Sequence, residues 1–116
     1  MSGLAGTWTV VRIGTAATAE GAQGRPSLTF EGDGQVFGYG GVNRLRGTWT
    51  LDVDRLAFGP VVATRMAGPD DVTATETALL ALLARPARLT LQGGPDHAVL
   101  HGVDGTEAEL VREVGA

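Results

Sequence analysis

Apolar and polar residues alternate along most of this chain, and the period of the alternation changes once. Residues 7–13 (Thr-Trp-Thr-Val-Val-Arg-Ile) are dense in β-branched and aromatic types and predict a strand. Residues 14–25 are small, polar and glycine-containing, a loop that ends at Pro26. Leu28-Thr29-Phe30-Glu31 alternates as a half-buried strand does, and Gly32-Asp33-Gly34 predicts a hairpin turn into a returning strand, Gln35–Tyr39. Leu45, Gly47, Trp49 and Leu51 share one face of the next strand, with Arg46, Thr48 and Thr50 on the other. Asp52-Val53-Asp54 then turns the chain, and Leu56 and Phe58 point inward from a fifth strand.

After Pro69 the spacing becomes helical. Leu79, Leu80, Leu82 and Leu83 form an apolar stripe, and Pro86 stops it, which predicts a helix over 71–84. Asp70 or Asp71 is the expected N-cap, and Thr73 with Glu76 forms a capping-box pattern one turn later. Three more strands follow, Ala87–Gln92, His97–Gly102 and Glu107–Val114, parted by Gly93-Gly94-Pro95-Asp96 and Asp104-Gly105. Gly-Thr-Trp-Thr occurs at 6–9 and again at 47–50, as two strands meeting the same packing demand.

Hairpin connections make neighbouring strands antiparallel. Eight strands, each with one apolar face, bury that face best in a barrel or half-barrel. The expected fold is therefore all-β with one helix: an antiparallel eight-stranded meander. The helix lies between strands five and six, capping an open end or covering a gap. An eight-stranded barrel either fills with side chains or holds one small ligand. Trp8, Phe30, Trp49, Leu51 and Phe58 are bulky enough to fill it.

Composition narrows the classes. The 116 residues make one domain, 1–116, with 43% apolar and only 19% charged residues, which suits a packed core. The 18 glycines agree with many turns. No apolar run is long enough for a membrane-spanning helix. Cysteine is absent, which excludes disulfides, thiolate metal sites and cysteine nucleophiles. Net charge is −4 and all nine basic residues are arginine, a balance that argues against non-specific nucleic-acid binding. The N-terminus shows neither a basic stretch nor an apolar export segment, so a cytoplasmic protein is expected, with an exported mature fragment as the alternative.

Two stretches carry a family resemblance. Gly40-Gly41-Val42-Asn43-Arg44, followed by Gly47-Thr48-Trp49-Thr50, resembles the G-C-N-R…G-S-Y segment of the META/HslJ family. Thr64-Arg65-Met66-Ala67-Gly68-Pro69 resembles that family's T-R-M-A-C-P. Gly6-Thr7-Trp8-Thr9 and Leu28-Thr29-Phe30-Glu31 with Asp33-Gly34 match in type and order. The resemblance implies a small β-barrel with a helix packed against it. Members are often envelope lipoproteins, some linked to heat shock and novobiocin resistance, and no enzymatic activity is established for the family. Val42 and Gly68 stand where the family carries cysteine. If the family's two cysteines share one site, Val42 and Gly68 are spatial neighbours.

Candidate chemistry is sparse, and neither an enzyme nor a cofactor is expected. His97 and His101 lie four apart on one strand, about 13 Å along an extended chain, too far to share one ion, so no metal is expected. Ser2 and Ser27, the only serines, sit outside any nucleophile motif. Asp52/Asp54 and Asp70/Asp71 fit a turn and a helix start. Gly38-Tyr39-Gly40-Gly41 leads into a strand, not a helix, and reads as a strand bend or bulge. Arg44 and Arg65 offer forks for an anion or a partner. They also suit structural arginines that bond loop carbonyls and hold segment 60–70 across the barrel, and that reading is favoured. Asn43 suits a left-handed or Asx turn. Asn43, Arg44, Thr64, Arg65 and Met66 are thus the candidate interaction residues. Two functions follow: a stress-associated module that binds a protein partner, or a carrier of a small apolar ligand inside the barrel.

Overall fold

The computed structural model describes residues 4–21 and 23–113, so Val114 of the last expected strand lies outside the described residues. The strands are β1 (Gly6–Ile13), β2 (Ala16–Ala17), β3 (Ser27–Phe30), β4 (Gln35–Tyr39), β5 (Arg44–Asp52), β6 (Arg55–Phe58) and β7 (Val62–Ala63). Helix α1 (Asp70–Leu83) follows, then β8 (Ala87–Leu91), β9 (His97–His101) and β10 (Glu107–Arg112). All pairings are antiparallel, in the order β10-β9-β8-β6-β5-β4-β3-β1, and β10 returns to pair with β1. Eight strands therefore close a barrel.

Two short strands differ from the sequence expectation and move the helix, which lies between the seventh and eighth strands rather than the fifth and sixth. β2 arises inside the expected loop, where Ala16 and Ala17 pair back onto Ile13 and Arg12. β7 continues β6 along β5 after an interruption. Trp49 faces Phe58 and Arg46 faces Val62, so the register shifts by one residue between the two pieces. Gly59 still donates to the Thr48 carbonyl at 3.0 Å, and Pro60, which has no N–H, breaks the ladder there as a bulge. Two residues are too few to show an alternation.

The inward rows of the strands meet as expected. Trp8, Phe30, Leu28, Leu56 and Leu110 are fully buried, and Trp49 is buried in a T-shaped contact with Phe30, the ring centroids 5.3 Å apart. Each indole N–H finds a carbonyl, Trp8 to Leu4 at 2.9 Å and Trp49 to Glu31 at 3.0 Å, so neither ring carries an unpaired donor inside. Leu51 and Phe58 are only half-buried against this core. Helix α1 sends Leu79, Leu82 and Leu83 into it. Between Leu28, Val36, Leu45 and Leu83 no room remains for a water molecule.

The helix start also departs from the expected capping. Pro69 occupies the cap position and offers no side-chain acceptor, while Asp71 Oδ1 accepts the Val72 N–H at 2.9 Å. Proline suits a site where an N–H is unneeded. Asp70 and Asp71 lie within the first turn, where the helix dipole favours negative charge. Thr73 reaches the Gly68 carbonyl at 3.3 Å, and Glu76 turns inward to a different task.

Candidate functional site

The turn from β4 to β5 runs directly under α1. A Cβ at Gly40 would come within 2.5 Å of the Glu76 side chain. One at Gly41, whose φ is +119°, would come within 2.7 Å of Val72. Only glycine fits both the approach and, at Gly41, the backbone conformation. This close approach brings the buried Glu76 carboxylate onto the turn. Its Oε1 accepts the N–H groups of Val42 at 3.0 Å and Asn43 at 2.6 Å, and its Oε2 accepts Asn43 Nδ2 at 2.7 Å. Three N–H donors offset the cost of burying the carboxylate.

Asn43 passes the connection on. Its Oδ1 accepts the Thr64 hydroxyl at 3.0 Å and the Met66 N–H at 2.6 Å, while Nδ2 also donates to the Met66 carbonyl at 3.2 Å. Thr64 Oγ1 accepts the Arg44 N–H at 3.1 Å. One buried amide thereby ties the helix, the β4–β5 turn and the strap 59–69 together. The Glu76 carboxylate and the Asn43 amide oxygen are taken up by backbone and side-chain donors of these segments, and the arrangement works as a bracket between them.

The structure brings Asn43, Thr64 and Met66 into direct contact, with Arg44 and Arg65 alongside, and it revises their roles. Asn43 is not left-handed: among the described residues Val53 alone combines a side chain with positive φ. The strap is held by Asn43, whereas Arg44 and Arg65 are exposed and neither guanidinium has a hydrogen-bond or ion-pair partner among the described residues. The favoured structural-arginine reading is thus replaced. An asparagine can bond backbone donors and acceptors at once and stay buried. Arginine has no acceptor and keeps its head in water.

Outside the bracket lies a mixed apolar and basic face. Phe37, Arg46 and Val62 stand opposite one another in register across β4, β5 and β7. Val62 is 65% exposed, Met66 61% and Phe37 44%. A groove of about 540 Å³ runs between Phe37, Arg44, Arg46, Val62 and Thr64. A second, of about 740 Å³, lies between the strap and α1. Among the described residues β7 pairs with β5 alone, and no strand pairs with its other edge. Sequence reading missed Phe37, Arg46, Val62 and Glu76 as members of this region. For Glu76 a signal existed: it shares the buried helix face with Val72, Leu79 and Leu83, where a carboxylate has no place unless it is bonded.

Val42 and Gly68 are neighbours. A Cβ built on Gly68 would lie 3.5 Å from Val42 Cβ, within the separation that a disulfide spans. The histidines point outward. His97 Nε2 bonds Glu109, which also takes Arg12 Nε at 3.2 Å, and these two partners, His97 foremost, hold the Glu109 carboxyl below its ordinary range. His101 bonds Thr90 at 2.9 Å and Glu107 at 3.0 Å. The Thr106 backbone N–H and hydroxyl hold the Asp104 carboxyl low. Among the described residues no three His, Asp or Glu side chains gather as a metal site would need.

The META domain family model matches residues 2–115. A solution structure of a protein from Burkholderia xenovorans is similar over 97% of this chain and 85% of its own, with 23% identity and a TM-score of 0.76. A second solution structure is similar over 96% of this chain and 95% of its own, at 14% identity and a TM-score of 0.75. A crystal structure of a DUF4847 family protein from Bacteroides vulgatus is similar over 97% of this chain and 96% of its own, at 16% identity and a TM-score of 0.61. At such identities the likeness is one of fold. No curated protein matches the chain.

Proposed function

The chain belongs to the META domain family, and from that premise we propose that it is a non-enzymatic recognition domain that docks an acidic, partly apolar segment of a protein partner. One observation carries the reading. Arg44, Arg46 and Arg65, without partners of their own among the described residues, surround the exposed Val62, Met66 and Phe37 beside the edge of β7 away from β5. An acidic segment matches those charges, an apolar residue in it covers the patch, and an extended backbone pairs with β7. The bracket supplies the rigid base that recognition needs. Absence of a reaction is part of the proposal: both Glu76 oxygens are engaged, by the Val42 and Asn43 backbone amides and by the Asn43 side chain. The family resemblance supports stress as the setting. Carriage of a small apolar ligand lacks a comparable observation, since side chains pack the interior around Leu83.

The test is a titration by amide NMR with extended peptides that alternate Glu or Asp with Val or Leu, beside lysine-substituted versions. The acidic series should shift Arg46, Val62, Ala63 and Arg65, and Arg46→Glu should abolish the shifts without changing the melting temperature. Equal binding of acidic and basic peptides, or shifts confined to other faces, would overturn the reading.

A further inference from the structure

A different part of the surface has a charge pattern that the fold does not explain. β6 and β8 meet through two register pairs, Arg55 with Arg88 and Leu56 with Ala87. Leu56 and Ala87 face inward and are buried, so Arg55 and Arg88 stand side by side on the outer face, both exposed. On its other flank Arg88 is in register with His101 of β9. Arg88 therefore has a basic residue on each neighbouring strand. Like charges directly opposite one another destabilise a sheet, and Cβ atoms of such pairs are only about 4.5–5.5 Å apart.

The carboxylates nearby do not relieve Arg88. Asp52 faces Arg55 from β5, at the far side from Arg88. Asp54 lies at the rim of the same concavity. Glu107 is bonded to His101. Neither Arg55 nor Arg88 has a hydrogen-bond or ion-pair partner among the described residues. His101 commits both ring nitrogens, to Thr90 and to Glu107, so it forms a wall and not a ligand. Arg55 and Arg88 line an open surface concavity of about 490 Å³ together with Asp54, Pro86, His101 and Val103.

We propose that Arg55 and Arg88 form a binding site for a phosphate-type oxoanion, free or as a phosphomonoester. Two planar forks on adjacent strands converge on one tetrahedral dianion, each bonding two of its oxygens, and the bound charge removes the repulsion between them. A single carboxylate would engage only one fork. The site is independent of the acidic-segment reading and stands at the opposite end of β5 from Arg44.

The experiment is thermal unfolding at constant ionic strength, with sodium chloride exchanged stepwise for sodium phosphate or phenyl phosphate. The native chain should melt several degrees higher in phosphate than in chloride. A greater gain with phenyl phosphate identifies an esterified ligand, and an equal or smaller one identifies the free anion. Arg88→Gln should abolish the phosphate gain and, in chloride, melt at or above the native temperature, because it relieves like-charge repulsion. Arg55→Gln should do the same. A phosphate gain that survives in both variants, no gain in the native chain, or a lower melting point of Arg88→Gln in chloride would each overturn the site. Such a lower melting point would make Arg88 a structural contact.

Discussion

Two seams close this barrel, and they are built differently. At the seam of β1 with β10, five register pairs join the chain's first and last long strands. The outer face there is charge-matched, with Glu109 between Arg12 and His97, and at the end of the inward row Arg112, in register with Trp8, covers that ring from 4.4 Å and bonds Asp96 at 3.0 Å. At the seam of β6 with β8 there are two register pairs, extended by one bond from the Leu89 N–H to the Asp54 carbonyl at 2.7 Å. Its outer charges are alike. The first seam must overcome the entropy of closing nearly the whole chain into a loop, and it does so with pairing, ion pairs and a buried indole. The second joins strands whose inward residues, Leu56 and Ala87, share the core cluster with Leu79, Leu82 and Leu83 of α1, and its outer arginines are unpaired among the described residues. Bonding is thereby concentrated at one seam and like charge at the other, and local opening should begin at the second.

The largest test of this contrast is Trp8→Ala. A fully buried Trp truncated to Ala costs about 3–5 kcal/mol, so denaturant unfolding should show most of the domain's stability gone. A loss below about 1 kcal/mol, the scale of an ordinary surface change, would break the comparison. The double change Val42→Cys, Gly68→Cys acts on the strap. Its oxidised form should bond spontaneously and gain about 2–4 kcal/mol over the reduced form, read from the two denaturation midpoints. Failure of the thiols to pair would show that strap and turn separate in solution.

A smaller effect belongs to the hairpin that feeds β6. Val53 is 93% exposed with φ of +59°, a conformation that costs a β-branched residue energy and glycine very little. Val53→Gly should therefore stabilise by about 1 kcal/mol, which thermal melting can read. The smallest effect is the acid response of the first seam. Glu109 is more acidic folded than unfolded, so its contribution is present above its ordinary value of 4.5 and is lost as pH falls through the lower folded value. Glu109→Gln should flatten the fall in melting temperature below that point. An unchanged acid limb would remove the carboxylate from the seam's balance.

The barrel was legible because each long strand carries its own alternation and its own turn signal. Trp8, Phe30 and Trp49 reach the core on periodicity alone. The bracket was legible only in part. Asn43, Thr64 and Met66 were marked by resemblance, but no local pattern pairs an asparagine with a glutamate on a helix that follows the strap. Glu76 satisfied a local rule, the capping box, and the tertiary bond outcompeted it. The short strands were illegible for a simpler reason: their pairing is dictated by the stretch they lie against, the end of β1 for β2 and the first part of β5 for β7, and not by their own residues. The repulsive Arg55–Arg88 pair could not be foreseen either, since it exists only once the helix has returned the chain to β6.

The Glu76 bracket has a consequence for how the helix finds its place. Leucines recur along α1, so a slide of one turn along its axis would still offer apolar side chains to the barrel mouth. That slide would put Leu80 or Val72 in the place of Glu76 and strip the Val42 and Asn43 amides of their acceptor. Leucines reward any burial, whereas a carboxylate rewards one position alone. Glu76→Leu is accordingly expected to fold with several amide signals for each of residues 40–43, and a single set would refute the point. The carboxylate works as a key: it contributes less to how firmly the helix docks than to which of its possible settings the barrel accepts.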